Sequence, residues 1–223
     1  MRNPKLAIVG AIAAATLSLA ACGGGGDTAS SGGGATTTTE AAPTTPESTP
    51  SETAMADGVT KTTDVFGPGC AQVPSDPANK GSLQGMVTDP VATAASNNPL
   101  LTKLVAAVGA AGLGDTLNSQ KAITVFAPYD GAFAELGDAK FAELAGQPAV
   151  LGDILKYHVV GTRYDAKGLE GAGSVDSLLG QKLTIAGSGD TMTVNGAPVL
   201  CGNIPTANAT VFVIGKVLTP PAA

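Results

Sequence analysis

Ile123-Thr124-Val125-Phe126-Ala127-Pro128-Tyr129-Asp130-Gly131-Ala132-Phe133 is the stretch that decides the fold. Residues 123–126 are apolar or β-branched throughout, which predicts a strand buried on both faces. Pro128 has no backbone N–H to give a ladder and closes the strand. Asp130 can cap a short helix that carries Phe133 and Leu136. A strand running straight into a helix here sets the reading of the segments on either side.

On the N-terminal side, Asn97-Asn98-Pro99 predicts a helix start, with Asn98 as cap and Pro99 at the first helical position. Leu100, Leu101, Leu104, Val105 and Val108 then fall at helical spacing, and Gly109, Gly112 and Gly114 end the run. On the C-terminal side, Pro148 opens a second helix with Val150, Leu151, Ile154, Leu155 and His158 on one face. Beyond it the pattern changes to β-rich runs at 182–185, 191–194, 199–201 and 210–214. Asn195-Gly196 signals a hairpin and Ser188-Gly189-Asp190 another turn. Helices early and short antiparallel strands late predict an α+β fold.

The first residues read as an export address. Arg2 and Lys5 precede an uncharged stretch from Leu6 to Ala21, whose 16 residues fall short of the roughly 20 a spanning helix needs. Leu19-Ala20-Ala21-Cys22 resembles the bacterial lipoprotein box, which implies a signal peptide over 1–21, cleavage before Cys22 and acylation of its thiol. Loss of Arg2 and Lys5 takes the formal charge from −6 to −8. Residues 22–60 then read as a disordered tether. Of the 38 residues after Cys22, 25 are Gly, Ser, Thr or Pro, too few apolar groups to offset the entropy of ordering. As a coil the segment spans on the order of 35 Å. Thr36, Thr37, Thr38, Thr39, Thr44 and Thr45 stand among Ala and Pro, a composition that suits O-glycosylation as well as it suits a bare linker. From Lys61 onward the chain has the length and composition of one domain, with 61–82 an N-terminal extension tied to the core and 83–221 the domain proper.

Three segments, in order, resemble a known family. They are the 123–133 stretch, Leu155-Lys156-Tyr157-His158-Val159-Val160, and Ala209-Thr210-Val211-Phe212-Val213-Ile214-Gly215-Lys216-Val217-Leu218-Thr219-Pro220-Pro221. Together they are similar to the two boxes and central Tyr-His pair of the fasciclin domain. Tyr129 departs from the family's usual Thr, and Gly215 from its usual polar residue. Met86–Pro99, Gly69-Cys70-Ala71 and Cys201-Gly202 extend the likeness to the secreted and lipid-anchored fasciclin-domain surface antigens of mycobacteria and related actinobacteria. The resemblance implies a wedge-shaped β-sandwich flanked by helices. It also implies a surface adhesion or interaction module without catalytic activity, in a family where some members recognise integrins or other surface proteins. It links Tyr157 and His158 to partner recognition.

The residues themselves narrow the chemistry. His158 is the only imidazole and lies on an apolar helix face, so a structural role is expected. An export signal places Cys70 and Cys201 in an oxidising compartment, where an isolated pair forms a disulfide. One His and two Cys at long spacing make no metal site, and no cofactor motif is present. Glu135, Asp138 and Glu143 read as solvated charges rather than an acid–base pair. An acidic chain without a basic run excludes nucleic acid as a partner. Tyr129 and Asp130, between strand and helix, are expected to form an exposed contact surface. The chain is expected to act as a monomer, held at the membrane by its lipid and meeting a surface or host protein. The alternative is a lipoprotein that holds a cell-wall lipid or glycan in a cleft of the domain.

Overall fold

The computed structural model describes residues 58–221. The expected signal peptide, Cys22, the candidate glycosylated threonines and most of the expected tether lie outside the described residues. Gly58 and Thr60, assigned to the tether by composition, are buried against the domain, and the Thr210 hydroxyl donates to the Gly58 carbonyl at 2.7 Å.

Strand β1 (Ile123–Pro128) and the last strand, β7 (Ala209–Ile214), are buried at every position. They pair side by side in parallel, from Ile123 opposite Ala209 to Pro128 opposite Ile214. The late strands pair antiparallel with one another as expected, and the parallel pairing joins the first strand to the last. Two strands so far apart in sequence can run the same way because the whole helical half and the other strands form the crossover between them. The rest of the sheet is antiparallel: β2 (Val159–Val160) beside β1, then β6 (Ala197–Pro205), β5 (Thr193–Val194), β4 (Lys182–Ala186) and β3 (Ser174–Asp176), in the order β2-β1-β7-β6-β5-β4-β3. Asn195 (φ 49°) and Gly196 (φ 76°) form the two-residue hairpin between β5 and β6, the left-handed pair that a twisted hairpin demands.

The sheet folds over on itself. Val160 bridges Ser177, and the Leu178 N–H donates to the Val159 carbonyl at 2.6 Å, so β2 meets the chain just after β3. Alternate residues of the central strands therefore face two different cores. Phe126, Phe212 and Ile214 point into the sheet interior with Leu169, Leu183, Met192 and Val194. Ile123, Val125, Ala127, Val211 and Val213 point the other way, toward the helices. Burial on both faces is why these strands read as unbroken apolar runs.

Eight helices lie among the described residues. The helical core is covered by α1 (Leu83–Met86), α2 (Val91–Asn97), α3 (Thr102–Ala110), α4 (Gly114–Ser119), α5 (Asp130–Leu136), α6 (Asp138–Ala145) and α7 (Pro148–Tyr157). The eighth, α8 (Ala166–Ala172), caps the sheet interior with Ala166 and Leu169. Helix α3 begins at Thr102 rather than Pro99. Asn98 instead ends α2, and its Oδ1 accepts from the Leu100 N–H at 3.0 Å, holding a turn between the two helices. Helix α7 starts at Pro148 as its sequence predicts, but Val150 is exposed while Leu151, Ile154 and Leu155 are buried.

Candidate functional site

The family-like segments converge where α7 ends against β1. Tyr157 closes α7 and His158 caps it, each with 2% of its surface exposed. His158 Nδ1 donates to the Ile154 carbonyl at 2.8 Å, and Nε2 accepts the Leu218 N–H at 2.9 Å. These partners assign the Nδ1–H tautomer. Burial drives the imidazole pKa down to about 4, against the upward pull of the Ile154 carbonyl. No lone pair remains for a substrate proton, so this geometry is that of a clamp joining α7 to the chain after β7. The Tyr157 hydroxyl donates to the Lys182 carbonyl at 3.2 Å and accepts from Asn195 Nδ2 at 2.6 Å, which ties α7 to the β5–β6 hairpin. Both side chains are buried, and each fixes the relative position of the elements it joins.

Asp130 is the first residue of α5 but caps a different helix. Its carboxylate accepts the Lys103 N–H at 2.8 Å and the Thr102 hydroxyl, satisfying the open first turn of α3. This explains why α3 starts at Thr102. Tyr129, expected to be exposed, is half-buried against the helical core, with its ring folded over Gly131, where an added Cβ would fall 2.2 Å from the ring. Packing in the loop is therefore its visible role. Asp138 is exposed and its carboxyl is lowered by the Lys103 ammonium at 2.6 Å.

Cys70 and Cys201 are joined in a disulfide that spans 131 residues of sequence. The extension is also stitched to β6 by backbone bonds between Phe66 and Gly202, with the Gly202 N–H donating at 2.8 Å. The Phe66 ring occupies the space a Cβ at 202 would need, at 2.4 Å, so glycine admits this contact.

Two structural polar residues were not singled out as such in sequence. Asn208 Oδ1 accepts the Val91 N–H at 2.9 Å, and its Nδ2 donates to the carbonyls of Leu117 and Gln120 at 2.8 and 2.9 Å. It binds α2 and the end of α4 to the start of β7. Half-buried Arg163 donates to the Thr206 and Ala209 carbonyls at 3.0 and 2.7 Å. No local motif marks either residue, since their partners lie far away in sequence.

A cavity among the described residues holds about 320 Å³. It lies between α2, α3, α4 and the β1–β2 edge, beside the first family-like box. Leu104, Val105, Val108, Leu117, Val125 and Val159 are among the apolar residues of its wall. A second cavity of about 250 Å³ shares Leu117, Leu155 and Val159 with the first and runs on to Thr116, Lys156 and Leu178. The first lies in the volume range of small-molecule sites, roughly 300–1,000 Å³. Among the described residues no three His, Cys, Asp or Glu side chains come together as metal ligands.

Comparison with known proteins agrees with this architecture. The family description "Fasciclin domain" matches residues 99–220. Immunogenic protein MPB70 of Mycobacterium bovis is 44% identical over 165 residues, covering 71% of this chain and 84% of that protein. Cell surface glycolipoprotein MPB83 of the same species is 41% identical over 185 residues, covering 80% of this chain and 81% of that protein. Transforming growth factor-beta-induced protein ig-h3 of Sus scrofa is 35% identical over 144 residues, 63% of this chain but 21% of that longer protein. With relatives matched along most of their own length and the family description spanning more than half of the sequence, this chain belongs to the fasciclin-domain family.

Proposed function

We propose that this protein is a non-catalytic binding module, anchored by lipid at Cys22 outside the membrane and held out on the tether to meet a surface or host protein. The observation that carries this reading is the 41% identity to a protein named a cell surface glycolipoprotein, over 81% of its length. The Leu-Ala-Ala-Cys22 box supplies the matching anchor signal, and a threonine-rich tether the matching glycosylation sites. The domain's chemistry supports the non-catalytic half. The one imidazole has both nitrogens committed, and both domain cysteines are in a disulfide rather than available as thiolates. Intact mass of the membrane-extracted protein tests the anchor. Diacylation at Cys22, and loss of lipidation and normal processing in Cys22→Ala, are expected; an unmodified Cys22 in the membrane-bound protein contradicts it.

A second reading, ligand capture in a cleft, is favoured by the apolar cavity beside the first box. It favours a lipid over a glycan. Several polar groups on the wall are already bonded within the protein: Ser96 Oγ donates to the Ala92 carbonyl at 2.8 Å, and Asn118 Oδ1 accepts the Ala92 N–H at 2.9 Å. Asn118 Nδ2 donates to Thr93 Oγ1 at 3.3 Å, and Asn97 Nδ2 to Asp89 at 3.3 Å. A sugar needs convergent free donors and acceptors, whereas an alkyl chain needs only the apolar wall.

A further inference from the structure

We propose that the two adjoining cavities form one groove for a single-chain anionic amphiphile, its alkyl tail in the larger chamber and its charged head at Lys156. The proposal rests on the ligand-capture reading above and specifies its ligand.

The larger chamber leaves apolar surface unfilled. None of the six residues of α4 is buried, although Leu117 of that helix faces the chamber. Val105 and Val108 of α3 are also only half-buried there. A Cβ built at Gly109 or Gly114, both on the wall, meets nothing within 4 Å. An alkyl chain in this space would cover Leu117, Val105 and Val108 without displacing a hydrogen bond, which is the favourable case for apolar burial.

The charges give the ligand its direction. Asp115 is the one charged residue on the wall of the larger chamber, and Lys156 the one on the wall of the smaller. A carboxylate or phosphate head is repelled at the first end and attracted at the second. Lys156 is available for it: among the described residues its ammonium reaches only Asp153, at 3.5 Å, with both side chains about half exposed. That contact is too long and too open to hold the lysine against a better-placed anion. Thr116 stands at the same chamber and can donate a hydroxyl. The shared wall of Leu117, Leu155 and Val159 provides the passage between tail and head.

The test is titration of the full chain carrying Cys22→Ala with dodecanoate, dodecanol and dodecyltrimethylammonium, followed through the amide resonances of Gly109, Gly114, Leu117 and Lys156. Dodecanoate should move all four. Dodecanol should bind roughly two- to fivefold more weakly, the size of one partly exposed charge contact, and the cation more weakly still. Lys156→Gln should bring dodecanoate down to the level of dodecanol and leave dodecanol unchanged. Val105→Phe, which fills the chamber, should abolish both; Gly109→Leu does the same from a position with open space if the first variant folds poorly. Equal binding of dodecanoate and dodecanol, or no effect of Lys156→Gln, overturns the anionic assignment while leaving the ligand-capture reading standing. Absence of any shift overturns both. So does a protein partner that moves these amides when no amphiphile does, since the groove would then belong to the surface-protein reading.

Discussion

The interior of the folded sheet and the face covered by α1–α7 are built from the same central strands, yet they pack differently. Inside the sheet, Phe126 and Phe212 are fully buried with ring centroids 5.8 Å apart, and Leu169, Leu183, Val194 and Ile214 are fully buried around them. On the other face, helices of four to ten residues carry much Ala, Gly, Ser and Thr, as in Val-Ala-Thr-Ala-Ala-Ser-Asn of α2 and Gly-Asp-Thr-Leu-Asn-Ser of α4. Small side chains on short helices leave the gaps that become the groove. A ladder of backbone bonds fixes strand spacing, whereas short helices are placed mainly by what they pack on. The lesson is a division of labour: the sheet interior holds the shape, and the helical face leaves unfilled space.

Four substitutions or conditions break or sharpen that contrast. Phe212→Ala removes a ring from the tight interior and should destabilise the domain by about 4 kcal/mol in denaturant unfolding. A loss below about 1 kcal/mol would mean the interior can collapse and is not the rigid half. Next comes the His158 clamp. Its folded pKa of about 4 lies below the ordinary 6.5, so the unfolded chain binds more protons between these values. Its contribution is therefore complete above pH 6.5 and is lost as pH falls toward 4, a change of about 3 kcal/mol. This slope, measured by unfolding from pH 7 to pH 4, should be much weaker in His158→Leu. A variant slope equal to the wild-type one would show that His158 takes up protons freely in the folded protein. Tyr129→Ala, in the loop that joins the central strand to the helical face, should lower stability by about 1–2 kcal/mol, because the ring is half-buried against the core. An unchanged melting temperature with loss of partner binding would restore the exposed contact role. Leu117→Ala, on the groove wall, should cost less than about 1 kcal/mol, since its side chain already faces open space. A loss comparable to that of Phe212→Ala would erase the difference between the two regions.

Much of this was legible in the sequence where local pattern and tertiary need coincide. Strands β1, β4 and β7, the Asn195-Gly196 hairpin and the Pro148 start of α7 all carry period or turn signals of their own. The buried histidine followed from its apolar helix face. What the pattern concealed has its cause elsewhere in the chain. The start of α3 is set by Asp130, across a gap of 27 residues, which no local capping rule can see. The parallel pairing of β1 with β7 depends on everything folded between them. Helices α2 and α4 lack a continuous apolar stripe because their inner faces meet a cavity or small residues, so periodicity had little to register. The groove is a property of missing volume, and composition does not record that. Asn208 and Arg163 act through carbonyls of distant segments and carry no spacing signature.

A rigid sheet supports an adaptable helical face. Native-state hydrogen exchange of the full chain tests it most directly. The amides of Val125 and Phe126, and of Val211, Phe212, Val213 and Ile214, should exchange only through global unfolding. The Leu117 amide of α4, bonded to the Leu113 carbonyl at 2.9 Å on a helix with no buried residue, should exchange at least about 100-fold faster through local opening. Equal protection of α4 and the central strands would contradict the account, because the helical face would then open only when the whole domain unfolds.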